Sequence, residues 1–365
     1  MTEATDTRHM RTALALGRRG QGNTWPNPAV GCVIVAGDRV VGRGWTQPGG
    51  RPHAEAQALA QAGAAARGAT AYVTLEPCAH HGQTPPCATA LVDAQIARVV
   101  IACGDPDGRV AGRGIAILQA AGIDVQIGVM QAEGAQDLAG FFSRITQGRP
   151  ELLLKLATSF DGRIATASGQ SRWITGADAR RAVHAMRARH DAVMIGAGTA
   201  RADDPMLDVR GMGDVKQPVR VVVSRGLDVP LTSRLAVSAA EVPLWLVHGP
   251  SVADATIKAW QDLGARTIAC PLDTGGLDMA AALQALGAAG LTRVFCEGGG
   301  ALAASLLRAG LVDRLAVFTA GLALGGDAVP GIGALGLDML RAAPRFDLDV
   351  VRPVGGDVLS LWRRA

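Results

Sequence analysis

Residues 51–87 read RPHAEAQALAQAGAAARGATAYVTLEPCAHHGQTPPC, and the succession of elements in this stretch decides the architecture of the first part of the chain. RPHAEAQALAQAG (51–63) is alanine-rich and free of β-branched residues, with a proline just ahead, so it predicts a helix opening near His53. ATAYVTLEPC (69–78) is a β-rich run that should deliver Cys78 at the end of a strand. TPPCATALVDAQI (84–96) predicts a second helix opening near Cys87, again entered through prolines. Working outward, VGCVIVAGDRVVGRGW (30–45) and RVVIACGDP (98–106) add strands, and VMQAEGAQDLAGFFSRITQ (129–147) adds helical structure. Alternation of this kind implies an α/β layer fold.

The same stretch places chemistry at the ends of three elements. One imidazole (His53) and two thiolates (Cys78, Cys87) make a tetrahedral zinc site with one position open, and helix N-termini favour the thiolate form. Glu55, two residues after His53, can move protons beside the metal without being a ligand. This arrangement resembles the signature of zinc deaminases acting on nucleobases. The rival reading is a closed structural zinc site, for which His80 and His81 offer a fourth ligand. Such a site has no use for Glu55, whose position suits a catalytic acid/base. Cys32, Cys103, Cys270 and Cys296 lie in apolar strand-like runs and read as small core residues.

Composition narrows the class. At 365 residues the chain is long enough for two domains with separate cores. The formal charge of +4 is spread along the sequence and aromatics are only 4%, so the basic stripe and stacking platform of a nucleic-acid binder are missing. No apolar run has the length of a membrane span and MTEATDTRHMRTALALGRRG lacks a secretory core, which points to the cytoplasm. A reducing compartment also suits cysteines used as metal ligands rather than disulfides.

GRPE (148–151) breaks the first series. LLLKLATSFDGRIAT (152–166) then opens a second, with strands at DAVMIGAG (191–198), VRVVVS (219–224), VPLWLVHG (242–249), RVFCEGGG (293–300) and DRLAVFTA (313–320). The zinc set has no counterpart there, so the two parts are not repeats. Glycine-rich turns end VMIGAG and VFCEGGG, the latter running into the helix ALAASLLRAG, where exposed N–H groups can receive a phosphate oxygen. Neither turn is a full dinucleotide-binding fingerprint.

NPAVGCVIV (27–35), PHAE (52–55), TLEPCAHHGQTPPC (74–87), VAGRG (110–114), KLATSFDGRIA (155–165), SRWIT (171–175), ARADDPMLDVR (200–210) and CEGGG (296–300) follow one another over nearly the whole chain. In this order they resemble the bifunctional pyrimidine deaminase/reductases of riboflavin biosynthesis. The resemblance implies a cytidine-deaminase-like three-layer domain over residues 1–147 and a dihydrofolate-reductase-like domain over 148–365. The first would deaminate 2,5-diamino-6-(5-phosphoribosylamino)pyrimidin-4-one, with zinc on His53, Cys78 and Cys87, Glu55 carrying the proton and Asn27 holding substrate. The second would use NADPH to reduce the ribosyl side chain to ribityl, giving 5-amino-6-(5-phosphoribitylamino)uracil.

Carried over by position, Ala157, Trp173, Thr199, Asp203, Ser224 and the run Gly299, Gly300, Ala301, Leu302, Ala303, Ala304 and Ser305 resemble cofactor contacts. Ser171, Arg187, Leu207, Arg210 and Glu297 resemble substrate contacts, the arginines suiting a phosphate. Lys155 and Asp161 match the pattern without a role that sequence assigns. The partner expected is thus a phosphorylated pyrimidine, with neither nucleic acid nor membrane, and the assembly a homo-oligomer. Two positions depart from the family: Ala29 stands where an asparagine is usual, and Asp107-Gly108 where Asn-Pro is usual. The second reads as a change of turn. Two other classes compete, a nucleoside or tRNA deaminase fused to an unrelated partner, and a noncatalytic zinc-stabilised binding protein.

Overall fold

The computed structural model describes residues 2–79 and 85–365, and the chain divides into two compact units, residues 1–148 and 149–365. In the first, strands β1 (Gly31–Ala36), β2 (Arg39–Trp45), β3 (Thr70–Leu75), β4 (Arg98–Cys103) and β5 (Asp124–Ile127) form one sheet in the order β2-β1-β3-β4-β5. β1 is antiparallel to both neighbours, while β3, β4 and β5 run parallel. Helices α1 (Glu3–Gly17), α2 (Ala54–Ala62), α3 (Cys87–Asp93), α4 (Arg113–Ala120), α5 (Gln131–Asp137) and α6 (Ala139–Gln147) complete it. β3 is buried along its whole length, as a parallel strand covered on both faces must be.

The glycines of β2 set where α2 lies. A Cβ on Gly44 would stand 2.1 Å from the Ala54 carbonyl oxygen, and one on Gly42 would stand 2.2 Å from that of Ala58. Both face α2, so its backbone rests directly on the strand at a depth no side chain permits. The first turn of α2, which carries Glu55, is thereby fixed against the sheet.

The second unit contains β6 (Glu151–Ser159), β7 (Arg163–Ala165), β8 (Ala192–Gly196), β9 (Val219–Val223), β10 (Leu244–His248), β11 (Arg266–Ala269), β12 (Leu272–Asp273), β13 (Gly276–Leu277), β14 (Arg293–Cys296), β15 (Arg314–Ala320), β16 (Val329–Pro330), β17 (Phe346–Val354) and β18 (Asp357–Arg364). Its helices are α7 (Ala177–Arg187), α8 (Ala197–Asp203), α9 (Arg234–Val237), α10 (Asp254–Asp262), α11 (Met279–Ala288) and α12 (Gly300–Arg308). The main sheet is nine-stranded, β11-β10-β9-β8-β14-β6-β15-β18-β17. Strands from β11 to β15 in that order are parallel, and β18 and β17 close the edge antiparallel. The buried β9 and β10 are almost entirely apolar, whereas β17 mixes exposed apolar and charged residues and carries Pro353, as an edge strand tolerates.

Two carboxylates organise the ends of β6. Asp313 accepts both arms of Arg149 (2.6 and 2.7 Å) and the Leu152 amide (2.8 Å), tying the start of the strand to the segment before β15. Asp161, for which sequence gave no role, accepts from Ser159 Oγ and the amides of Leu324 and Gly325, so it holds two loops together. Those bonds, Ser159 first, keep its carboxyl near pKa 2. Among the described residues no helix is long and apolar enough to cross a membrane.

Candidate active sites

His53 is the N-cap residue of α2 and Cys87 the first residue of α3, while Cys78 follows β3 by three positions. His53 Nδ1 stands 3.3 Å from Cys87 Sγ and 3.7 Å from Cys78 Sγ, and the three ligand atoms all lie within 4.8 Å of one another. Zinc bonds of about 2.0–2.1 Å to nitrogen and 2.3 Å to sulfur at a tetrahedral angle give an N···S edge of about 3.6 Å, so the donor set fits that ion. The Cys87 amide also donates to Cys78 Sγ (3.3 Å), a contact that stabilises thiolate. Partnership with Cys87, against the opposing effect of burial, draws the Cys78 thiol down to about 4 and pushes Cys87 up, as expected of two sulfurs sharing one proton. His80 and His81, the fourth ligands of the rival closed site, lie outside the described residues.

Glu55 lies in the first turn of α2, 4% exposed. Burial first, then Cys78, raises its carboxyl to about 7. It shares a cavity of about 340 Å³ with His53, Cys78, Asn27, Arg51 and Arg109. Asn27 is held by close packing, since a Cβ on Gly50 (φ +87°) would fall 1.9 Å from its Nδ2. One residue of the wall escaped sequence reading. Glu76, next to the Pro77-Cys78 pair, accepts from the amides of Gly112 and Gly114 (3.1 and 3.0 Å) and caps α4, whose own N-cap residue is a glycine. Asp107-Gly108 lies in a turn, as read from sequence. Asp107 lines this cavity and grips the Arg109 guanidinium, because a carboxylate supplies the paired acceptors that an amide lacks.

In the second unit a groove of about 760 Å³ opens at the carboxyl ends of β8 and β14, where parallel sheets place ligands. Ala157, Ser171, Thr199, Asp203, Glu297 and the turn from Gly299 to Leu302 line it together with Lys155. Thr199 Oγ1 accepts the Gly299 amide (3.0 Å), joining the two glycine-rich turns. Trp173 is not among the lining residues. It is 68% exposed and stacks on the Arg180 guanidinium at 4.6 Å. Ala303 and Ala304 are buried within α12 behind the lining, and Ser305 Oγ lies 3.3 Å from an Arg308 nitrogen. Ser224 lines a different cavity of about 560 Å³, shared with Arg201, Arg225, Ser251 and Thr256. Leu207 is buried at φ +55°.

The Arg187 side chain is only 12% exposed. Its Nε and Nη2 donate to the two oxygens of Glu297 (2.5 and 3.1 Å) and its Nη1 donates to the Asp208 carbonyl (2.7 Å), so most of the fork is used within the protein. Lys155 Nζ stands 4.0 Å from the same carboxylate. Burial alone would raise Glu297, but Arg187 and Lys155 overcome it and hold the carboxyl ionised. Burial pulls the Lys155 ammonium down against the pull of Glu297.

These geometries meet matching relatives. Residues 3–103 match the cytidine and deoxycytidylate deaminase zinc-binding region, and residues 150–360 match the RibD C-terminal domain. The riboflavin biosynthesis protein RibD of Escherichia coli K12 is 42% identical over 97% of this chain and 98% of its own. The chain belongs to the RibD family. The RibD protein of Aquifex aeolicus is 36% identical over the full length of both. The structure of Acinetobacter baumannii RibD superposes with a TM-score of 0.90 at 39% identity, covering 100% of each chain. A Thermotoga maritima protein described as a diaminohydroxyphosphoribosylaminopyrimidine deaminase/5-amino-6-(5-phosphoribosylamino)uracil reductase gives 0.87 at 29%, over 100% and 99%. The first unit therefore has the cytidine-deaminase-like fold and the second the dihydrofolate-reductase-like fold of RibD.

Proposed function

We infer that the two cavities carry successive steps on one phosphorylated pyrimidine. The chain is a bifunctional deaminase/reductase of riboflavin biosynthesis, zinc-dependent in its first activity and NADPH-dependent in its second. Its substrate is 2,5-diamino-6-(5-phosphoribosylamino)pyrimidin-4-one, which loses the 2-amino group and then has its ribosyl chain reduced to ribityl. The observation that carries this reading is Glu55, a buried carboxylate facing the same cavity as a histidine and a cysteine spaced for tetrahedral zinc.

His53, Cys78 and Cys87 would hold the zinc, which supplies Lewis acidity that lowers the pKa of water to about 7. Glu55 takes one proton from the attacking water to the ring nitrogen and a second, from the hydroxyl so formed, to the amine, which departs as ammonia; its raised pKa suits both transfers. Asn27 orients the ring. In the second unit NADPH would supply hydride to the sugar carbon bonded to nitrogen, whose bond to the ring oxygen breaks, with a proton from solvent completing the new hydroxyl. Thr199, Asp203 and the turn from Gly299 shape the cofactor side of the groove, while Ser171, Glu297 and Arg210 bind substrate. Arg187 serves by holding Glu297 ionised and fixed. None of the six cysteines is joined in a disulfide, which suits a reducing cytoplasm.

Incubating the protein with the diaminopyrimidine phosphate, with and without NADPH, tests both steps. Ammonia release should need no NADPH, and NADPH consumption should follow deamination. Release of ammonia from cytidine, adenosine or tRNA instead would overturn the assignment.

Cofactor choice has its own test. Ser224 and Arg225 follow β9 and share their cavity with Arg201, Ser251 and Thr256, a cationic and hydroxyl-lined setting for the adenosine 2′-phosphate. Arg225→Ala should narrow the preference for NADPH over NADH by about 1–3 kcal/mol, read as the ratio of kcat/KM values. Equal use of both cofactors by the unmodified enzyme would refute the reading.

A further inference from the structure

We propose that Arg109, held by Asp107, is the phosphate-recognising residue of the deaminase cavity and makes it select phosphorylated over unphosphorylated pyrimidine. The inference rests on the substrate reading above and adds a binding residue that the motif positions do not supply. Arg51, Arg109 and Arg144 come from three separate segments and all line this one cavity, which also holds Glu55, His53 and Cys78. A pyrimidine and its sugar offer hydroxyls, amines and ring nitrogens, none of which calls for a guanidinium with an open edge. A phosphate does.

Arg109 is the most open of the three, with a side chain 69% exposed against 12% for Asp107. Its Nε lies 3.0 Å from each Asp107 oxygen and its Nη2 2.5 Å from Oδ2, while its amide donates to Oδ1 (2.9 Å). One edge of the fork is thus fixed on the carboxylate. The other edge, both Nη1 hydrogens and one on Nη2, remains to receive two phosphate oxygens side by side.

Asp107 is itself held from behind. Its amide donates to Asp105 Oδ1 (2.8 Å), the Asp105 amide donates to Glu76 Oε2 (3.3 Å), and Glu76 is locked on the start of α4. The guanidinium is therefore aimed by a chain of bonds that begins at a helix end, and little side-chain entropy remains to be lost on binding. The Asp107–Arg109 pair is neutral overall, so it supplies direction rather than net charge. The family pattern has asparagine at position 107. An amide offers one acceptor and no charge, so the carboxylate in this chain is what pairs with Arg109.

The test uses zinc-loaded, full-length enzyme and ammonia release, comparing the diaminopyrimidine ribosyl phosphate with the same compound after phosphatase treatment. Arg109→Ala should raise KM for the phosphorylated compound about tenfold with kcat nearly unchanged, because a phosphate contact binds ground and transition states alike. KM for the unphosphorylated compound should not move, and the salt dependence of the phosphorylated KM should flatten. Arg109→Lys, which keeps the charge and loses the fork, should recover part of the effect. Unchanged zinc content shows that the unit carrying the variant is folded. Equal loss on both compounds, or no change on either while the unmodified enzyme remains active, overturns the inference alone. Absence of ammonia release by the unmodified enzyme overturns the substrate reading and the inference together.

Discussion

Glu55→Gln should retain about one zinc per chain and lose deamination by at least about 10²–10⁴-fold, because the amide copies the shape of the carboxylate but cannot carry the proton. Retention of metal follows from the geometry. The three ligand atoms lie within 4.8 Å of one another without Glu55, and the two glycines of β2 that seat α2 are untouched. The variant also relieves the cost of burying a carboxylate, so it should fold at least as well as the parent. Metal analysis and ammonia release, measured on the same sample, decide the matter. Zinc should leave both proteins as acid protonates the ligands. Undiminished ammonia release would exclude Glu55 as the proton carrier, and loss of zinc would make it a ligand.

A pair of variants should separate the two activities. His53→Ala removes the one imidazole that the described residues bring to the metal group and should abolish ammonia release while leaving reduction of supplied deaminated substrate largely intact. Arg210→Ala should do the reverse, raising the reductase KM for substrate about tenfold if the guanidinium holds phosphate through charge-assisted bonds. The Arg210 backbone amide donates to His184 Nδ1 (3.2 Å) and the side chain, 66% exposed, pairs only loosely with Asp208 at 3.3 Å. Alanine therefore deletes the guanidinium and keeps the backbone bond. If either substitution eliminates both activities in a folded protein, the assignment of one activity to each unit fails.

Much of the zinc-bearing layer was legible because its elements are written in local chemistry. Proline before His53 and Cys87 opens α2 and α3, and the β-rich run ahead of Cys78 becomes β3. The long run 30–45 resolves into a hairpin, β1 and β2, at Gly37-Asp38. The C-terminal pair β17 and β18 was not foreseen, since an edge strand exposed on both sides and mixing Asp, Arg and Val shows neither period that sequence reading relies on. What stayed hidden in the sites are partnerships across long separations. Nothing near Arg187 announces Glu297, 110 residues away, and nothing near Glu76 announces the amides at 112 and 114. A carboxylate beside a ligand cysteine carries no local mark of the helix it caps. Asp107 and Arg109 are neighbours in sequence, yet their meaning depends on the cavity they face.

The parallel run from β11 to β15 also tells an engineer where to cut. β8, β9 and β14 present their carboxyl ends to loops that line the cavities, while their interiors, such as Val193 to Ile195 and Val221 to Val222, are fully buried. A combinatorial library confined to residues 197–199, 201–203, 224–226, 228 and 299–301 would vary the lining of both cavities while leaving the core intact. Altered cofactors or bulkier sugar phosphates can thus be sought by varying α8, the turn after β9 and the start of α12, with the sheet serving as a reusable chassis.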